Sequence, residues 1–153
     1  MSEDRQEGGC RCGEVRFAVQ GDPLITFACH CKGCQRMTAS AFCLSSLYPA
    51  ERFERTQGET MLGGLKGAPR HHFCPSCMSW LYTQPEGMDA FVNVRSTMLD
   101  DPASHRPFVD VYLNEGLPWV TSGAPRRYDT MPAEADFGTL TAAYATWDGK
   151  GNQ

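Results

Sequence analysis

The residues able to do chemistry in this chain are its cysteines. Eight are present, and seven fall in three short runs: Cys10-Arg11-Cys12, Cys29-His30-Cys31-Lys32-Gly33-Cys34 and Cys74-Pro75-Ser76-Cys77. In extended chain, positions i and i+2 point to one side, so Cys10 and Cys12 can present two sulfurs to one point in space. Cys74 and Cys77 flank a Pro-Ser turn, the knuckle spacing that brings two thiolates onto one tetrahedral ion. Each pair alone is half a site. Together they make a four-thiolate zinc site that closes a loop of about 60 residues, so that metal binding becomes folding energy.

The middle run then stands apart. Cys29, Cys31 and Cys34 offer three thiols with no second pair left to complete them, and three protein ligands with an open fourth position is how zinc binds a water or a substrate. Two other partitions compete. His30 could supply a fourth ligand and close the middle site, although in an extended Cys-His-Cys its side chain points away from its neighbours. Alternatively the middle run pairs with one of the others, giving a single zinc and several free thiols. Cys43, between Phe42 and Leu44, reads as a small buried hydrophobe.

Composition narrows the setting. A net charge of −4 and a pI near 5.5 give no reason to expect nucleic acid, which asks for a basic face. The polar start MSEDRQEGG lacks the apolar core of a secretory leader, and no run approaches the roughly 18 apolar residues of a spanning helix. The expectation is a cytoplasmic protein without membrane contact, where thiols stay reduced and serve as ligands. Export by another route would bring disulfides back.

These ligands need elements to hold them. At 153 residues, without repeats or a linker, the chain reads as a single domain, 1–153. Val15, Phe17 and Val19 alternate with Arg16, Ala18 and Gln20 as a half-buried strand ending at Gly21-Asp22-Pro23. Further strands are expected over Leu24–Ala28, Phe42–Tyr48, His72–Phe73, Trp80–Thr83, Phe91–Val94 and Phe108–Leu113, bounded by turn residues. The fold class is mainly β, built of short antiparallel strands. Helix is scarce: Lys32–Met37 suits a helical turn, and Phe137, Leu140, Tyr144 and Trp147 fall at helical spacing, with Gly149 as the stop.

At GGCRCGEVRF, ACHCKGCQRMTASAF and FCPSCMSWL, the sequence resembles the three cysteine motifs of the glutathione-dependent formaldehyde-activating enzymes, a family that also includes centromere-protein-V-like proteins. The tail HRPFVDVYLNEGLPWV…APRRYD is similar to that family's carboxy-terminal pattern, so the likeness runs over about 8–128 and leaves 129–153 as an extension. The resemblance implies a tent-like β fold around two zinc ions. It implies that Cys10, Cys12, Cys74 and Cys77 hold a structural zinc and that Cys29, Cys31 and Cys34 hold the second. It further implies a carbon–sulfur lyase activity, the joining of glutathione to formaldehyde as S-hydroxymethylglutathione. Three positions depart: Gln35 stands where the family usually has Arg, and Ala39 and Met78 stand where Gly is common.

An open three-thiolate zinc is a modest Lewis acid whose natural fourth ligand is another thiolate, so a substrate thiol would be activated there beside an aldehyde carbon. The new alkoxide needs a proton, for which His30, His71, His72 and His105 are candidates by type; His30 leads on location, and water is the simplest alternative. Glutathione carries two carboxylates, so cations should meet it; Lys32 and Arg36 flank the middle run, with Arg70 and Arg95 on nearby strands. Phe42, Phe73, Trp80 and Trp119 are expected in the core or a pocket wall. The contrasting function is a non-catalytic zinc protein whose two metals are structural and whose surface binds a partner. A sulfur-redox enzyme is a weaker third reading, because it needs a nucleophile and a resolving partner among the cysteines.

Overall fold

A computed structural model describes residues 4–65 and 67–149. The fold is mainly β. Its strands are β1 (Arg5–Gly9), β2 (Arg16–Gln20), β3 (Ile25–Cys29), β4 (Cys43–Pro49), β5 (Phe53–Gln57), β6 (Met61–Gly63), β7 (His71–Phe73), β8 (Trp80–Thr83), β9 (Phe91–Arg95), β10 (Val109–Val111) and β11 (Arg126–Arg127). The helices are α1 (Lys32–Thr38) and α2 (Phe137–Ala145). Among the described residues no helix is long and apolar enough to cross a membrane.

The chain forms two compact units, each assembled from two separated segments. The first takes residues 1–23 and 47–102. It contains a three-stranded sheet of order β1-β2-β5 and the run β9-β8-β7-β6. The pairings β1–β2, β2–β5, β6–β7, β7–β8 and β8–β9 are antiparallel, as the short alternating segments suggest. Val15, Phe17, Val19, Leu81, Val92, Val94 and Leu99 fill its core around Tyr48, with Cys10 and Cys74 as members. Each large apolar side chain so buried contributes roughly 1.5–3 kcal/mol. One cysteine of each pair thus belongs to the core, Cys10 and Cys74, while of their turn partners Cys12 is exposed and Cys77 half-buried.

The second unit takes residues 24–46 and 103–153, with strand order β11-β10-β3-β4 and both helices. Here the antiparallel expectation does not extend throughout: β10 runs parallel to β3 on one side and to β11 on the other. A strand flanked on both sides tends to read as a continuous apolar run. Accordingly all three residues of β10 are buried, although the middle one is Asp110. Helix α2 buries Leu140 and Tyr144, and Tyr144 and Trp147 pack against Phe108. It ends at Ala145, before Trp147 and well before Gly149, so neither residue terminates it.

Candidate functional site

The first unit gathers Cys10, Cys12, Cys74 and Cys77, with sulfurs all within 4.8 Å of one another. Cys10 follows β1 and Cys74 follows β7, so two strand ends deliver one pair each. A tight turn after β1 returns the chain through Gly13 N–H to Cys10 C=O and Cys10 N–H to Val15 C=O. The second turn closes through Met78 N–H to Cys74 C=O at 2.9 Å. Cys10 and Cys12 sulfurs are 3.6 Å apart, and Cys12 and Cys74 sulfurs 3.8 Å. A tetrahedral zinc with bonds of about 2.3 Å needs sulfurs about 3.8 Å apart, so the residues fit that ion.

Backbone N–H groups support this set. Val15 N–H donates to Cys10 Sγ, and the N–H groups of Ser76 and Cys77 donate to Cys74 Sγ. Burial raises the Cys77 thiol, but the Ser79 hydroxyl and surrounding N–H groups outweigh it and bring it down to about 5. At Cys12 a backbone N–H lowers the thiol while the Cys10 sulfur and the other crowded thiols push it up to about 12.

The second unit gathers Cys29, Cys31 and Cys34, again within 4.8 Å of one another. Three adjoining elements bring them together. Cys29 ends β3 opposite Val111 of β10; Cys31 caps α1, its sulfur accepting from Cys34 N–H at 3.3 Å; Cys34 lies in the first turn. His30 N–H donates to Val111 C=O at 3.0 Å, continuing the tie of β3 to β10, and the His30 side chain is buried.

His30 is 1% exposed, its Nε2 2.7 Å from Asp110 Oδ1. Phe42 packs on the ring, and Gly116 passes so close that a Cβ there would lie 3.2 Å from His30 Cβ. Ser122 hydroxyl donates to the same Asp110 oxygen, and Arg127 Nε lies 3.6 Å from the other. His30 does not join the group of mutually close ligand atoms. Gln35, where the family usually has Arg, donates from Nε2 to both His30 C=O and Glu115 C=O, while Lys32 N–H donates to Glu115 Oε1. These bonds clamp the CHCKGC turn to the loop after β10.

Cys43 is buried, as expected, but it is more than packing: its thiol points at Cys34, with the sulfurs 3.2 Å apart. A hydrogen bond from Cys34 lowers the Cys29 thiol, yet the Cys43 sulfur and burial push it up to about 12. Cys34 itself is raised by the sulfurs of Cys29 and Cys43.

The other candidates scatter. Lys32 and Arg36 are exposed and one turn apart on α1. His71 and His72 hold Thr83 and Thr60, and His105 holds Ser46, each at 2.8 Å. Arg70 binds Asp89 and two carbonyls, and Arg95 lies 4.1 Å over the Trp80 ring. Phe73 and Trp80 are buried, but Trp119 is 78% exposed and belongs to no core. Sequence reasoning missed Asp110, Glu115 and Ser122. The one available signal was an acid inside the apolar run FVDVYL.

Residues 5–115 match the family of glutathione-dependent formaldehyde-activating enzymes. The chain belongs to that family. The match spans all seven clustered cysteines of this family member. A solved Rhodobacter sphaeroides protein is similar in structure, with a TM-score of 0.51 at 16% identity, over 80% of this chain and 98% of that one. At that identity the likeness concerns the fold alone. A comparison with curated proteins found no match.

Proposed function

We propose that this chain is a zinc-dependent carbon–sulfur lyase joining glutathione, or a related thiol, to formaldehyde or another small aldehyde. The observation that carries this reading is the contrast between its two clusters: one brings four sulfurs together, the other three. Cys10, Cys12, Cys74 and Cys77 would hold a structural zinc; Cys29, Cys31 and Cys34 would hold the second. A zinc with three thiolates supplies a position at which a substrate thiol loses its proton and becomes nucleophilic.

The chain's own residues do the rest. The His30–Asp110 pair and the Gln35 clamp fix the backbone that spaces the three sulfurs. Lys32 and Arg36, on one exposed stretch of α1, offer cations to the carboxylates of a glutathione-like thiol. His30 and its partner Asp110 are both buried, so His30 positions the turn, and water delivers the proton to the new hydroxyl oxygen. The S–C bond forms as the carbonyl π bond breaks, and the proton lost from the thiol ends on the former aldehyde oxygen.

Native mass spectra of protein purified without chelator, with and without glutathione, test this reading. The expected result is two zincs per chain and a glutathione adduct that disappears, along with turnover, in a folded Cys31→Ser variant. A wild-type protein with two zincs that ignores glutathione and other small thiols would favour two structural metals and a partner-binding role instead.

A further inference from the structure

Cys43 is absent from both ligand groups, yet its sulfur makes a closer contact than those measured across the four-thiolate cluster. It lies 3.2 Å from Cys34 Sγ, against 3.6 Å for Cys10–Cys12 and 3.8 Å for Cys12–Cys74. Sulfurs sharing one tetrahedral zinc sit about 3.8 Å apart, and Cys43 does not join the mutually close sulfurs of Cys29, Cys31 and Cys34. The Cys34–Cys43 contact stands about 1.2 Å beyond a disulfide bond, which is about 2.0 Å long. The two residues are nine apart, one in the first turn of α1 and the other opening β4, so a bond between them closes a short loop.

Their exposures differ in a useful way. Cys34 is part-exposed, whereas Cys43 is 3% exposed. An external reagent can therefore reach Cys34 but hardly Cys43, while Cys43 can reach Cys34. That is the division of labour between a reacting cysteine and the partner that resolves it.

We infer that Cys34 and Cys43 form a reversible dithiol–disulfide pair, and that oxidation by a small disulfide withdraws Cys34 from the metal triad and releases the second metal. The inference rests on the reading of Cys29, Cys31 and Cys34 as a metal site. In the first step the Cys34 thiolate attacks one sulfur of the small disulfide. A protein–small-thiol disulfide forms, the original S–S bond breaks, and one thiolate leaves. In the second step Cys43 attacks Cys34 Sγ, the intrachain bond forms, and the second small thiol departs with the Cys43 proton. Two electrons pass from the two cysteines to the small disulfide. The cation is left with Cys29 and Cys31 alone, one ligand short of the set that would hold it. A protein that uses a small thiol would then be switched off as that thiol's oxidised form accumulates.

The test begins with zinc-loaded, reduced protein and glutathione disulfide as the oxidant. Released zinc is followed with a chromogenic chelator, and disulfides are mapped by peptide mass spectrometry after alkylation. The expected result is loss of one zinc of two, in step with a Cys34–Cys43 disulfide, and recovery of both on reduction with added zinc. Cys43→Ala should hold two zincs when reduced and should need at least about tenfold more glutathione disulfide for half-release, because it lacks the neighbouring thiol that captures the adduct. Cys43→Ser serves as a second variant if the first folds poorly. Three results would overturn the inference: Cys34 found only with glutathione, Cys29 or Cys31; equal sensitivity of variant and wild type; or a reduced Cys43 variant with one zinc, which would make Cys43 a ligand. Wild-type protein holding one zinc before oxidation would instead sink the three-thiolate reading. In that case the peptide map still reports separately on whether the pair forms.

Discussion

Ala39 and Met78 hold left-handed backbone, with φ of 52° and 62°. Neither is glycine, the residue for which this conformation carries no steric cost. Ala39 closes α1, its N–H donating to Gln35 C=O, and Met78 completes the knuckle turn through Cys74 C=O. A side chain in this region costs about 1–2 kcal/mol, partly offset because glycine is freer in the unfolded chain by about 0.4–1 kcal/mol. Ala39→Gly and Met78→Gly are each expected to stabilise the protein by about 0.5–1 kcal/mol in denaturant melts with zinc present. A loss of stability at either site would show that the methyl group or the thioether packs more usefully than its exposed position suggests.

His30 shows why part of the site escaped the sequence. Its neighbours in the chain are ligands, which drew it toward a metal or catalytic role, but its partner Asp110 lies 80 residues away on another strand. Nothing in local spacing links the two. The cysteine runs were legible because each is its own local geometry, three to six residues wide. The contact of Cys43 with Cys34 was not legible, since it depends on where α1 ends and β4 begins.

At the scale of elements, strands rich in aromatic and β-branched residues between turn signals, such as β2 and β8, stand where their residue pattern puts them, to within a residue. The first strand, in a polar stretch, and the edge strands β5, β6 and β11 carry too little apolar pattern to announce themselves. The parallel union of β3 with β10 pairs Phe27 with Val109, a match no hairpin signal can foretell. Helix α2 lies past the region of family likeness, yet Tyr144 is 1% exposed and packs edge-on against Phe108. Tyr144→Ala is expected to cost about 3–5 kcal/mol, read as a lower denaturation midpoint. A cost below about 1 kcal/mol would mean that α2 is an ornament on the second unit.

One surface tie between elements carries a pH signature. Arg16 on β2 forms a two-pronged salt bridge with Asp100, and this hydrogen bonding holds the Asp100 carboxyl below its ordinary 3.8. Its stabilisation is therefore complete above that value and lost as pH falls through the lowered one. Because Asp100 is 57% exposed, the tie is worth under about 1 kcal/mol and is screened by salt. Asp100→Asn should lower stability by that amount at pH 7 in dilute buffer. The difference should shrink both in molar salt and on acidification below 3.8. A difference insensitive to salt would show that packing, not charge, is responsible.

At the scale of the molecule, each compact unit holds one ligand cluster. Cys10 and Cys74 belong to the first unit's core, so stripping a metal from that site removes a core support. Graded chelation should accordingly release one zinc first, from the three-thiolate site, with little change in circular dichroism. Release of the second should bring cooperative unfolding, since structural zinc sites of this kind contribute folding energy directly. Unfolding with the first equivalent would reverse the order assigned to the two sites.

The interleaving of the two units also bears on how the protein is made. Synthesis runs from the amino terminus, so Cys10, Cys12, Cys29, Cys31 and Cys34 emerge while Cys74 and Cys77 are still untranslated. The nascent chain thus presents six thiols, Cys43 among them, and no finished four-ligand set. An ion captured early would meet an incomplete four-thiolate set, and the first unit cannot close until residues 47–102 have followed. The supply of metal during translation, and not only afterwards, would therefore govern how much of the chain reaches its native pairing of sulfurs.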